Sequence, residues 1–243
     1  MFFGFFWGDW TFILLVPAMI FAMIAQARVQ STFNKYNKRQ TARRISGAEA
    51  ARRILDRNGL YEVKVERVRG HLSDHYDPKE KVIRLSDSTH DSTSVAAIGV
   101  AAHEAGHAVQ HATNYLPIRL RSAIIPITQF GSRLSMPLFI IGLLLVGLSY
   151  ESSYIGEIFM FAGIITFSFS TLFQLITLPT EFNASSRAMK TLEETEILYG
   201  DELGGASRVL SAAAMTYVAA LATSLAYLLR FVLIAAGASN RRR

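Results

Sequence analysis

The residues best suited to chemistry lie in a short apolar stretch near the middle of the chain. His103 and His107 are four positions apart, and Glu104 directly follows the first histidine. Because residues four apart share one face of a helix, both imidazoles can bind the same Zn²⁺. Glu104 can then take a proton from the attacking water. The alternative is a pair of structural histidines on a helix, beside a glutamate held in a salt bridge.

A hydrolytic zinc site usually has three protein ligands and one open position, so a third ligand is needed. His111 follows His107 by four residues, but eight residues along a helix is a rise of about 12 Å. His103 and His111 are therefore poorly placed to share one ion, and His111 is predicted to support the site or lie on the surface. Glu181 is the better candidate, because it follows a long uncharged stretch that returns the chain to the same side of a membrane.

Four stretches of at least 17 residues contain no Asp, Glu, Lys or Arg: residues 10–27, 134–150, 158–180 and 209–229. A helix needs about 20 mostly apolar residues to cross a bilayer. Four such stretches in 243 residues predict an integral membrane protein rather than a soluble helical protein with buried core helices. The aromatic N-terminus lacks the basic residues of a signal peptide, so the first stretch is predicted to remain as a membrane helix.

Composition excludes several classes of protein. Hydrophobic residues make up 51% of the chain and charged residues 18%, which excludes a disordered protein. The absence of Cys excludes a disulfide scaffold, a Cys-ligated zinc finger, an iron–sulfur cluster and a Cys nucleophile.

The net charge of 25 − 19 = +6 is concentrated in residues 28–57, where nine basic residues accompany two acidic ones. A basic run directly beside a membrane span favours a cytoplasmic location or contact with anionic lipid over nucleic-acid binding. The N-terminus is then outside. The three arginines at 241–243 oppose this topology, so the last apolar helix has a re-entrant or interfacial alternative.

The local patterns predict elements around the histidines. Residues 46–58 and 92–113 have helical spacing, whereas residues 61–68 and 81–86 have strand patterns. The second strand is interpreted as an edge strand along which an extended peptide could pair. The predicted parts are a first membrane helix (1–27), a cytoplasmic catalytic part (28–121), a transmembrane hairpin (122–179) and a third-ligand segment with a C-terminal membrane helix (180–243).

Together these motifs resemble the YugP-type neutral zinc metallopeptidases of bacterial membranes. The resemblance rests on residues 74–78, 82–86, 94–110 and 181–188. It implies zinc on His103 and His107, with Glu104 as the catalyst. The stretch beginning at Glu181 is also similar to the Glu-x-x-Ala-Asp pattern of the HtpX and CAAX-protease group. That similarity implies Glu181 as the third ligand, in the gluzincin manner, although Ser185 stands where the pattern has Asp.

Four other side chains are candidates for supporting roles. Ser185 is four residues after Glu181 and can orient a ligand. Arg187 can pair with a carboxylate or stabilise an oxyanion, or it can be a solvated surface arginine. His75 can hydrogen-bond a tetrahedral intermediate, and His111 can support the zinc ligands.

The sequence therefore predicts a mainly α, polytopic membrane protein with about four transmembrane helices and a small juxtamembrane α+β zincin-like catalytic domain. Its expected function is zinc-dependent endopeptidase activity in the bacterial inner membrane, with the active site facing the cytoplasm. Peptides or membrane proteins are the expected substrates, the lipid bilayer is a partner, and nucleic acid is not. The oligomeric state is left open. The alternative is a non-catalytic membrane scaffold or transport component with a structural zinc.

Overall fold

The computed structural model describes residues 10–148 and 153–240, and all structural statements concern these residues. A 3₁₀ helix at Trp10–Leu14 opens the chain. The helices that follow are α1 (Leu15–Asn37), α2 (Gly47–Arg57), α3 (Val95–Ala112), α4 (Leu116–Leu148), α5 (Ser153–Glu194) and α6 (Asp201–Asn240). The strands are β1 (Lys64–Val68), β2 (His75–Asp77) and β3 (Val82–Ser86).

Four of the described helices are long and apolar enough to cross a membrane: Trp10–Asn37, Leu116–Leu148, Ser153–Glu194 and Asp201–Ala238. In the most apolar part of each, only 11–22% of the residues are buried inside the protein. A soluble protein would bury such surfaces in its core, because exposed apolar area is costly in water. The mainly helical character that the sequence predicted is therefore confirmed, and these four helices have the length and apolar surface that a membrane span needs.

The chain divides into two compact units, of which the first holds the described parts of Met1–Ile24, Leu120–Thr177 and Tyr217–Arg243. In this unit α4 and α5 approach closely where both helices carry glycine. A Cβ added at Gly142 would lie 2.5 Å from the carbonyl oxygen of Gly156. Small residues of this kind let helix backbones approach within a membrane. Phe139 stacks on Phe231 of α6, with ring centroids 4.4 Å apart.

The second unit, Ala25–Arg119 and Leu178–Thr216, contains the three-stranded sheet and the two short helices. The strand order is β1-β3-β2, with β3 parallel to β1 and antiparallel to β2. Ile83 and Leu85 of β3 are fully buried in a core that α2 and α3 also line. The central strand of this small sheet therefore packs in the same core as the helix that bears the histidines.

Local capping explains where α2 and α3 begin and end. Ser46 and Ser94 are the N-caps of the two helices, and each side chain accepts a hydrogen bond from a backbone N–H in the first turn. Asn58 ends α2, and Gly59 follows with a φ of 71°, a conformation that glycine adopts without strain. These boundaries confirm the helices predicted at 46–58 and 92–113.

One expectation was wrong. The strand predicted at 81–86 exists as β3, but it is the central strand rather than an edge strand, because β2 pairs with its second side. The polar segment after residue 179 is helical as far as Glu194. This extension has a packing reason, since Ala184, Ala188 and Leu192 recur every fourth residue and are all buried.

Candidate metal centre

Helix α3 presents its two histidines on one face, as their spacing predicts. The other faces of the helix carry small apolar residues that are buried in the core. The rings of His103 and His107 lie 4.7 Å apart, centroid to centroid, and are nearly perpendicular. Both side chains are mostly buried, with 15% and 12% of their surfaces exposed. The two imidazoles therefore face the same small space.

Glu181, on α5, is brought into that space by close helix packing. Gly106 lies between the two histidines, and a Cβ there would be 2.7 Å from the carbonyl oxygen of Ala184. The absence of a side chain lets α3 and α5 approach to this distance. Glu181 is 2% exposed, and its Oε2 lies 3.2 Å from Nε2 of His103 and 3.5 Å from Nε2 of His107.

The donor set and its spacing fit a zinc ion. One ligand atom from each of His103, His107 and Glu181 lies within 4.8 Å of the other two. Two ligand atoms at tetrahedral angles around one Zn²⁺ are separated by about 3.4 Å. The distances of 3.2 and 3.5 Å from the Glu181 oxygen match that separation. Two imidazoles and a carboxylate are also a ligand set found in catalytic zinc sites.

The second nitrogen of each imidazole has a polar partner. Nδ1 of His103 lies 3.1 Å from Oγ of Ser185, and Nδ1 of His107 lies 3.0 Å from Oε1 of Gln110. Contacts of this kind fix the ring orientation of metal-binding histidines. In both cases Nε2 is the nitrogen that faces Glu181.

Charge accumulates around His107. Burial by itself lowers the pKa of His107. The hydrogen bond that its protonated Nε2 donates to Glu181, together with the charges of Glu104 and Glu181, outweighs burial and raises that pKa above its ordinary value. A divalent cation would meet the same excess of negative charge.

The structure places the other predicted site residues as follows. His111 is outside the three-residue group, and its ring lies 5.6 Å from that of Tyr76 on β2. His75 is exposed, with Nδ1 2.9 Å from the carbonyl oxygen of Ser73. Because side chains alternate along a strand, His75 points away from the side on which Tyr76 meets His111.

Arg187 lies among neutral partners rather than on the carboxylate. Its Nε–H donates to Oδ1 of Asn183 at 2.8 Å, and its guanidinium lies over the ring of Tyr115. Asn183 and Gln110 are residues whose contacts with the site were not foreseen. The available signal for Gln110 was an amide side chain one turn after His107, on the helix that also carries His103 and Glu104.

Comparison with known proteins also indicates a zinc-binding protein. Residues 11–236 match the family described as "Putative neutral zinc metallopeptidase". The chain belongs to this family. The protein named "Putative membrane protease YugP" from Bacillus subtilis (strain 168) is 48% identical over 221 residues, which cover 91% of this chain and 94% of that protein. No solved structure matches the chain.

Membership of the family confirms the resemblance seen in the sequence. Zinc is the cofactor of the family, and the group formed by His103, His107 and Glu181 can hold it. The four apolar helices agree with the name of the relative, which describes a membrane protease.

Proposed function

We propose that this chain is a membrane-bound zinc endopeptidase, with its site at the cytoplasmic face of the bacterial inner membrane. The observation that carries the proposal is the meeting of His103, His107 and Glu181 from two different helices, within 3.5 Å at the Glu181 oxygen. Two histidines on one helix and a glutamate on another form a gluzincin-type ligand set. The family description supports a peptidase over another hydrolase.

Glu104 is the proposed general base. It is 9% exposed, it directly follows His103 in the chain, and its charge acts on His107. When bound by His103, His107 and Glu181, Zn²⁺ supplies Lewis-acid activation of a water and of the scissile carbonyl. Glu104 accepts a proton from the attacking water and delivers it to the leaving amine.

The substrate proposed is a peptide in extended conformation. In the described part of the chain, β2 pairs only with β3, so one side of β2 is an edge. Tyr76 of this strand contacts His111 of α3, which brings the edge close to the helix that bears the ligands. Edge strands bind extended peptides through their unpaired backbone groups. We therefore assign the pairing role to β2, in a small catalytic domain of zincin type.

The proposed topology follows the charge distribution. Residues 28–57 are strongly basic, which favours the cytoplasm for the catalytic part. We propose four single spans and retain the division into residues 1–27, 28–121, 122–179 and 180–243. Membrane proteins are natural substrates for a site that directly follows the uncharged stretch 158–180.

The decisive experiment measures zinc content and proteolysis of an unfolded protein such as casein, using detergent-purified protein. We expect wild type to hold one zinc and to cleave casein. Glu181→Ala should lose zinc, Glu104→Gln should keep zinc but lose cleavage, and the control His111→Ala should keep zinc. Cleavage retained by Glu104→Gln would refute the assigned base. Zinc without cleavage in wild type would favour a membrane scaffold or transport component with a structural zinc.

A further inference from the structure

A completely buried amide connects the zinc ligands of α3 to the turn of α5 that carries Glu181. Gln110 is 0% exposed and lies one helical turn after His107. Its Nε2 donates to the backbone carbonyl of Thr180 at 2.8 Å and to Oδ1 of Asn183 at 3.0 Å. Its Oε1 lies 3.0 Å from Nδ1 of His107. All the polar atoms of this side chain are thus engaged.

The direction of each hydrogen bond is determined by groups that have only one role. A backbone carbonyl can only accept, so the Gln110 atom facing Thr180 must be the amide nitrogen. A guanidinium can only donate, so Arg187 requires the oxygen of Asn183 to face it. That same oxygen then accepts from Gln110. Two independent contacts therefore place the amide oxygen of Gln110 against His107.

We propose that Gln110 is a positioning residue that keeps a proton on Nδ1 of His107 and leaves Nε2 available to the metal. An amide oxygen can only accept, so Nδ1 must donate to it. Asn183 and Arg187 act one step further away, because they prevent the Gln110 amide from rotating. This inference rests on the proposed zinc site, and it adds residues that determine how well that site binds.

His103 and His107 differ in whether a neighbouring side chain determines which ring nitrogen carries the proton. Ser185, the partner of His103, has a hydroxyl that can either donate or accept. Its contact orients the ring but does not by itself determine which nitrogen carries the proton. Gln110 determines both for His107. We therefore expect zinc affinity to depend more on the amide of Gln110 than on the hydroxyl of Ser185.

The test uses the full-length protein in detergent and two readouts. Zinc affinity is measured by competition with a chromophoric chelator. Selective ¹⁵N-histidine labelling then reports, in metal-free protein, whether Nδ1 of His107 carries a proton between pH 6 and 9. Gln110→Met has similar length but cannot hydrogen-bond. Asn183→Asp keeps an oxygen that accepts, and Gln30→Met changes an exposed glutamine of α1 as the matched control.

We expect Gln110→Met to weaken zinc binding about 10- to 100-fold, the usual effect of losing a group that orients a ligand. Nδ1 of His107 should stay protonated throughout the pH range in wild type. In Gln110→Met the neutral ring should instead carry its proton on Nε2, facing Glu181. Asn183→Asp and Gln30→Met should bind zinc within about threefold of wild type, well below the loss expected when a group that orients a ligand is removed.

Unchanged zinc affinity and unchanged Nδ1 protonation in Gln110→Met would overturn the inference. The inference would also be overturned if metal-free Gln110→Met melted at a lower temperature while its folded form bound zinc as tightly as wild type. That result would indicate a purely structural link between α3 and α5. Wild type that binds no zinc would overturn the proposed function as well. Wild type that binds zinc through Glu181 while Gln110→Met binds equally well overturns only this inference.

Discussion

Replacing Gly106 with alanine tests whether close packing of α3 against α5 sets the position of Glu181. The added methyl carbon would lie 2.7 Å from the carbonyl oxygen of Ala184 and 3.3 Å from its carbonyl carbon. Both neighbours are backbone atoms of a buried helical turn, so neither can rotate away. The only relief is a movement of one helix relative to the other.

The size of that movement follows from the contact. Ordinary van der Waals contact begins at 3.4 Å, so the Ala184 oxygen must retreat by 3.4 − 2.7 = 0.7 Å. Glu181 precedes Ala184 by less than one turn and moves with it. Ligand distances in metal sites tolerate shifts of about 0.2 Å. Overpacking of this kind costs about 1–3 kcal/mol, equivalent to about 5- to 150-fold in zinc affinity if the strain is relieved in the metal-free protein.

The assay is zinc affinity by chelator competition, with Gly99→Ala as the control on the same helix. A Cβ at Gly99 would lie 3.4 Å from the Cβ of Ala206, an ordinary contact, so that variant should bind zinc like wild type. Both substitutions gain about 1 kcal/mol of helix propensity, which removes this term from the comparison. Equal zinc affinity for Gly106→Ala and Gly99→Ala would refute the idea that this contact positions Glu181.

Three further results are expected. Zinc affinity should fall about tenfold per pH unit on acidification, starting above pH 6.5, because the raised pKa of His107 makes a proton compete with the metal. Competition titrations at pH 6, 7 and 8 measure this fall, and an affinity that does not change with pH would contradict it. Gly142→Leu should lower the melting temperature in detergent, because its side chain meets the α5 backbone, whereas Gly147→Leu, with no atom within 4 Å of an added Cβ, should not. Asp74→Ala should destabilise the protein by about 1–3 kcal/mol, since Asp74 accepts hydrogen bonds from the backbone N–H and hydroxyl of buried Ser86. A thermal shift equal to that of Asp201→Ala, at a side chain that is 91% exposed, would contradict it.

The sequence predicts helix boundaries well where capping residues and apolar periodicity agree. Ser46 and Ser94 are N-caps, and Asn58 with Gly59 ends α2, so these boundaries could be predicted locally. The strand β2 could not, because its three residues have no apolar alternation and it exists only through pairing with β3. The extension of α5 beyond Pro179 likewise depends on tertiary packing of a buried alanine stripe.

For the candidate metal site too, the sequence predicts what is local to one helix and not what depends on packing between helices. The spacing of His103 and His107 is a local property of a helix, so the sequence alone predicts that both rings share one face. Bringing Glu181 to the pair required an argument from topology, since residue 181 is far away in the sequence. The contact of Gln110 with His107 depends on how the side chain is oriented by α5, which no pattern within α3 reveals.

The polar contacts of the metal centre come from about two helical turns of α3 and two of α5. Every partner described for the ligands lies in residues 103–110 or 180–187, including the hydroxyl at Ser185 and the amide at Gln110. The polar contacts of the metal centre are therefore confined to two short helical segments. Any pair of helices that crosses as closely as Gly106 permits could accept these two segments, so a designed soluble helical bundle could carry the centre without a bilayer.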